Sequence, residues 1–195
     1  MLRRDIPTLA NYFGDAGYKT ILSGKWHLGD SYPYRPEDRG FQELLSFRAW
    51  GVPAMASHWD NSYINEDKDV NAYTNPTLLL NGQDKKYEGY VTDILFDHAM
   101  EQMKICQEAN QPFFLFLPTP TPHHPNLAPE TDFQEYLTIA KEWRTKSDKK
   151  VDIPYYGMIG NIDENLGRLD SFLIERGLKD NTILVFLTDN GTQAK

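Results

Sequence analysis

The chain has 195 residues, of which 40% are hydrophobic and 25% charged, so it has the composition of a globular protein and the size of one domain or a large part of one. A formal net charge of −8 excludes a protein that grips nucleic acid along a basic face. No apolar run approaches the ~20 residues needed to span a bilayer, and any anionic ligand must be held by local cations or a metal ion that outweigh the global field.

In chain order, Pro7 followed by Leu9, Ala10, Phe13 and Ala16 predicts a helix with proline in its first turn, closed by Gly17. The stretch Tyr18 to Ser23 is a short strand, stopped by Gly24. From Asp30 to about Gly89 the chain is rich in Pro, Gly, Asn, Asp and aromatic residues without clear periodicity, and it reads as a long functional loop. Trp50, His58, Trp59 and Tyr63 in that loop are placed to line a substrate approach or to pack among themselves. Helical spacing returns with Ile94, Leu95, Ala99, Met103 and Cys106, with Thr92 as the cap of a helix running to about Glu108. Cys106, the only cysteine, falls on that apolar face as a small buried hydrophobe and excludes an intrachain disulfide.

Phe113 to Leu117 is an apolar strand of the kind buried on both faces of a parallel sheet, ended by Pro118-Thr119-Pro120-Thr121-Pro122. Asn126 to Asp152 reads as loop with one short helix. Ile159, Ile162, Leu166, Leu169 and Leu173 then form a helical stripe from about Pro154 to Arg176, capped by Gly177. Thr182 to Leu187 is expected to be a second buried strand. This alternation predicts an α/β fold: a mostly parallel central sheet flanked by helices.

Three polar clusters each follow an expected strand: Gly24-Lys25-Trp26-His27, Pro122-His123-His124-Pro125 and Thr188-Asp189-Asn190-Gly191. Ligands of open α/β sheets sit at the carboxyl ends of the strands, so the clusters are expected on one rim as one hydrolytic, anion-binding site. Lys25 and His27 flank Trp26, and a cation and an imidazole so spaced can face one anion; an ordinary turn with an exposed lysine and a structural histidine fits the same residues. His123 lies in a proline-stiffened loop suited to proton transfer or anion binding, or to a solvent-facing histidine pair with His124. Asp189 and Asn190 offer hard oxygen ligands for Ca²⁺ or Mg²⁺, although Asp-Asn-Gly is also a common turn. Asn190-Gly191-Thr192 matches a glycosylation sequon, a poor assignment for a ligand at a sheet rim.

Beyond these single readings, the chain resembles the sulfatase family of the alkaline-phosphatase-like superfamily. The resemblance is carried by Thr8-Leu9-Ala10 through Gly24-Lys25-Trp26-His27-Leu28-Gly29, by Asp38-Arg39-Gly40-Phe41, and by Pro112-Phe113-Phe114-Leu115 ahead of Pro-His-x-Pro. Ile162-Asp163-Glu164-Asn165-Leu166-Gly167-Arg168-Leu169, Asn181-Thr182-Ile183 and Thr-Asp-Asn-Gly complete it. It implies that Lys25 and His27 contact the sulfate and the nucleophile, that His123 binds sulfate and protonates the leaving oxygen, and that Asp189 and Asn190 are ligands of a divalent ion, usually Ca²⁺ and less often Mg²⁺. The implied substrate is a small-molecule or glycan sulfate ester, and the implied location is the periplasm or the cell exterior.

The resemblance also implies a formylglycine nucleophile made from Cys or Ser in Cys/Ser-x-Pro-x-Arg, upstream of Gly-Lys-Trp-His. Ser31-Tyr32-Pro33-Tyr34-Arg35 has those letters but lies downstream, where the family has an ordinary loop. The expectation is therefore that residues 1–195 are part of one N-terminal catalytic domain, lacking the nucleophile segment and a downstream part, and inactive alone. Met1-Leu2-Arg3-Arg4 is a basic head without the apolar core of a secretory signal. A phosphatase or phosphodiesterase of the same superfamily, or a non-catalytic remnant, is the alternative.

Overall fold

A computed structural model describes residues 3–47, 73–123, 126–132, 134, 136–137, 141–142 and 152–191. His124, Trp50, His58, Trp59, Tyr63 and Thr192 lie outside the described residues. The chain divides into two compact units, residues 1–120 and 121–195.

The first unit carries the sheet. Its elements in order are α1 (Leu9–Asp15), β1 (Lys19–Gly24), β2 (Glu43–Ser46), β3 (Thr77–Leu80), β4 (Gln83–Lys86), α2 (Val91–Glu108) and β5 (Phe113–Phe116), with a short 3₁₀ turn at Glu37–Arg39. The strand order is β4-β3-β2-β1-β5. β1 runs parallel to both β2 and β5, and the β3–β4 hairpin adds an antiparallel margin. The expected α/β architecture is thus a mixed five-stranded sheet with helices against it. Thr8 caps α1 through a capping box with Asn11, so Pro7 stands just outside the helix.

β1 is buried from Thr20 onward because both its faces are covered. Leu22 joins Ala10 of α1 with Phe41 and Leu44, and Trp26 and Phe114 pack on that cluster. Ser23 faces the other way, where its hydroxyl donates to the Leu95 carbonyl of α2. Burying a leucine such as Leu22 completely stabilises the unit by about 1.5–3 kcal/mol.

Further expectations change in this unit. The span read as loop from Asp30 to Gly89 contains β2, β3 and β4, which are only four residues each and too short to show a period. β4 has no apolar residue at all and pairs because Asn81 and Gly82, at φ 49° and 82°, make a two-residue hairpin turn. Thr92 does not cap α2: the helix begins at Val91 after Tyr90, and Thr92 is fully buried. β5 is an edge strand among the described residues, half buried, with Phe116 44% exposed, and is not enclosed on both faces.

The second unit is built on α3 (Ile153–Glu175), preceded by helical residues at 130–132, 134, 136–137 and 141–142. Asp152 caps α3 by accepting from the Tyr155 amide, and Pro154 sits in the first turn, where its missing N–H costs nothing. Its buried stripe is Met158, Asn161, Asn165, Leu169 and Leu173, one step round the helix from the expected isoleucines, and Ile159 is 39% exposed. The two asparagines are tolerated because they are paired: Asn161 donates to Asp132 (2.9 Å), and Asn165 donates to the Asn161 carbonyl and accepts from Arg168. Residues 182–187 are not a strand. They form no ladder among the described residues, and Ile183 and Leu187 are 93% and 72% exposed.

Candidate functional site

The first cluster follows β1 directly. Gly24 has φ +142°, and a Cβ there would stand 2.1 Å from the Pro118 carbonyl oxygen. The next amide, of Lys25, donates to that same oxygen over 2.8 Å. The turn after β1 is thereby locked to the segment leaving β5, and only glycine permits the approach. Trp26 packs inward, its Nε1 donating to the Tyr34 carbonyl (2.8 Å) and its ring edge-on to Phe41 at 5.7 Å. With Trp26 so anchored, Lys25 is half buried and His27 exposed at φ +55°. A histidine in the left-handed region is uncommon and stores backbone strain of order 1–3 kcal/mol, a feature concentrated at functional positions.

The neighbouring Ser31–Arg35 stretch is a turn closed by the Tyr34 amide donating to the Ser31 carbonyl, and after it the Arg35 guanidinium forks onto both oxygens of Asp38 at 2.8 Å each. That bidentate contact holds the Asp38 carboxyl below its usual range and raises the Arg35 guanidinium. The Cys106 thiol is pushed up by burial, which suits a packing residue and not a nucleophile.

The other clusters lie in the second unit. His123 is exposed, just after the buried Thr121 and a cis Thr121–Pro122 bond. The chain beyond it is tied to α3 and its cap by the Asn126–Asp152 and Asp132–Asn161 contacts. Asp189 and Asn190 occupy an exposed bend at the end of the 182–187 segment. The structure therefore brings Lys25 and His27 together in one turn and Asp189 and Asn190 together in another, with His123 on its own loop.

Among the described residues, no group of three or more His, Cys, Asp or Glu side chains could hold a metal ion. Asp189 and Asn190 supply two adjacent hard oxygens, a donor set that suits Ca²⁺ or Mg²⁺ in kind but accounts for only part of a shell of about six to eight ligands.

One buried titratable group was missed in the sequence. His98 on α2 is largely buried against Ser23, with Glu43 on its other side. Burial lowers the pKa of its imidazole, with Glu43 opposing and Lys85 reinforcing that shift. Its signal was a titratable residue beside Leu95 and Ala99, within the apolar stripe of α2.

The sulfatase family model matches residues 2–195. The arylsulfatase of Klebsiella aerogenes is 28% identical over 95% of this chain and 47% of its own length. The N-acetylgalactosamine-6-sulfatase of Canis lupus familiaris is 26% identical over 91% of the chain and 31% of its own length. Among solved structures, Ps i-CgsB in complex with k-i-k-neocarrahexaose superposes with a TM-score of 0.69 at 28% identity, covering 88% of this chain and 37% of that one. The chain thus spans a third to a half of the length of these relatives.

Proposed function

This chain belongs to the sulfatase family, and on that footing we propose that the protein carrying it hydrolyses sulfate monoesters, most readily those on glycans. The observation that carries the reading is the turn after β1. Gly24 and Trp26 pin its backbone, and they leave a half-buried lysine and an exposed, strained histidine at the carboxyl end of a parallel strand. The glycan preference is supported by the substrate in the name of the canine relative and by the saccharide bound in the solved neighbour.

In this reading each of the Lys25, His123 and Asp189 clusters serves sulfate-ester hydrolysis within a sulfatase catalytic domain. Lys25 and His27 neutralise the sulfuryl oxygens, and His123 binds sulfate and delivers a proton to the leaving oxygen as the S–O bond breaks. Asp189 and Asn190 hold one side of a divalent ion, Ca²⁺ before Mg²⁺, which when bound withdraws charge from the sulfuryl group. The family's formylglycine supplies the nucleophile; the chain has no Cys/Ser-x-Pro-x-Arg besides Ser31–Arg35. The 195 residues alone are accordingly expected to show no turnover. No helix among the described residues is long and apolar enough to cross a membrane, and export to the periplasm or exterior is part of the proposal.

The test is release of inorganic sulfate from an aryl sulfate and a sulfated oligosaccharide, beside a phosphate monoester, by an enzyme containing this chain. Sulfate release that falls about 100-fold or more in His123→Ala, and comparably in Lys25→Ala, is expected. Hydrolysis of the phosphate ester alone would replace the reading with a phosphatase of the same fold.

A further inference from the structure

Beneath the Gly24–His27 turn, helix α2 presents His98 to the end of β1. His98 Nδ1 lies 3.1 Å from Ser23 Oγ, and that oxygen lies 2.8 Å from the Leu95 carbonyl. On the far side of the ring, Nε2 is buried without a hydrogen bond, 3.6 Å from Glu43 Oε1. Glu43 is in turn held by Asn81, whose Nδ2 donates to Oε1 and whose Oδ1 accepts the Leu44 amide. Serine, histidine and glutamate stand here in the order of a hydrolytic triad, but Ser23 is wholly buried and no substrate reaches it. The cluster must act through the backbone it holds.

Counting protons gives the state of the ring. The Leu95 carbonyl only accepts, so its 2.8 Å contact requires the single Ser23 proton. Ser23 Oγ must then accept from His98, which places the neutral ring's proton on Nδ1. Nε2 is left as a lone pair facing a carboxylate, which accounts for a separation longer than a hydrogen bond. Only the imidazolium satisfies both sides. The charged groups facing the ring are Glu43 from β2, which favours that proton, and Lys85 from β4, which opposes it.

We propose that His98 is a positioning residue for the anion-holding turn, fixing it through Ser23 and passing its own protonation on to Lys25. Ser23 is two positions before Lys25, and the Lys25 amide, which is the N–H of the Gly24–Lys25 peptide, is tied to the Pro118 carbonyl, so a shift of the Ser23 anchor pulls on that hydrogen bond through Gly24. The consequence for sulfate binding rests on the function proposed above; the mechanical link does not.

The test is a pH titration of the ¹⁵N-labelled 195-residue chain between about pH 8 and pH 5, following the His98 ring nitrogens and the amides of Ser23, Gly24 and Lys25. A proton on Nδ1 at neutral pH, and a Lys25 amide that moves with the His98 midpoint, are expected. In His98→Asn, which keeps a donor toward Ser23 but gains no proton, that movement disappears while the neutral-pH shifts persist. In Ser23→Ala the ring titrates and the Lys25 amide no longer follows. A proton on Nε2, or a Lys25 amide that stays still while the wild-type ring titrates, overturns the proposal, and the wild-type titration alone decides this if a variant fails to fold. Inorganic sulfate is expected to bind about threefold tighter below the His98 midpoint, a step absent in His98→Asn. If Lys25 follows His98 but its amide ignores sulfate, the positioning role stands and the sulfate-holding role of the turn falls.

Discussion

Replacing Gly24 with alanine isolates what the close approach after β1 is worth. The added Cβ would meet the Pro118 oxygen at 2.1 Å and its carbonyl carbon at 2.8 Å, both backbone atoms that no rotamer change can clear. The carbonyl must recede by roughly 1 Å, beyond reach of the Lys25 amide that it accepts at 2.8 Å. Losing that hydrogen bond costs about 0.5–1.5 kcal/mol and holding alanine at positive φ about 1–3, so a loss of roughly 2–4 kcal/mol is expected. Gly17 is the control, since it also has positive φ (+88°) but nothing within 4 Å of its would-be Cβ. Gly17→Ala should cost only about 1–2 kcal/mol, the strain alone. Denaturant unfolding followed by circular dichroism gives the two losses, and hydrogen exchange at the Lys25 amide should accelerate only in Gly24→Ala. In the active enzyme a 1 Å shift of Lys25 is expected to lower turnover about 100-fold. Equal losses for the two variants, with Lys25 still protected, would refute the argument that the contact with Pro118 sets this turn.

Three further outcomes follow from other parts of the chain. His98 has an ordinary value of 6.5 that burial lowers in the fold, so the unfolded chain takes up the proton first. Its contribution to stability is complete above pH 6.5 and is lost as pH falls toward the folded value, and His98→Asn should flatten that slope in urea titrations across the window. Asp189→Ala and Asn190→Ala should abolish any rise in melting temperature that Ca²⁺ gives the enzyme, and an undiminished rise would remove both residues from the metal site. Residues 183–187 expose a run of apolar side chains on backbone with no ladder partner among the described residues, the kind of surface that templates association. Val185→Lys with Phe186→Lys should keep the isolated chain monodisperse by light scattering at concentrations where the parent self-associates, and unchanged association would place the sticky surface elsewhere.

What could be read from the residues depended on length and on locality. α1, β1, α2 and α3 announce themselves through local signals, a breaker or cap beside α1, β1 and α3 and a long apolar helical period in α2. The β3–β4 hairpin was legible only in Asn81-Gly82. Its second strand, Gln83-Asp84-Lys85-Lys86, is wholly polar and pairs because the turn folds it back, not because it hides anything. The stripe of α3 was displaced for the opposite reason: hydrophobicity nominated Ile159 and Ile162, whereas Asp132 and Arg168 supply the partners that let Asn161 and Asn165 be buried. Arg168 is one turn from Asn165, but Asp132 is 29 residues from Asn161 and leaves no local trace there.

The same distinction separates the two kinds of residue proposed to act. Lys25, His27, His123, Asp189 and Asn190 stand in short motifs whose letters are visible without a fold, and the resemblance to sulfatases is written in them. His98 belongs to no motif, and its meaning depends on Ser23 arriving from β1, Glu43 from β2 and Lys85 from β4. A group that holds sulfate must be displayed at a strand end, where sequence patterns concentrate. The group proposed to position Lys25 needs no motif: His98 meets Ser23 on the face of β1 that α2 covers.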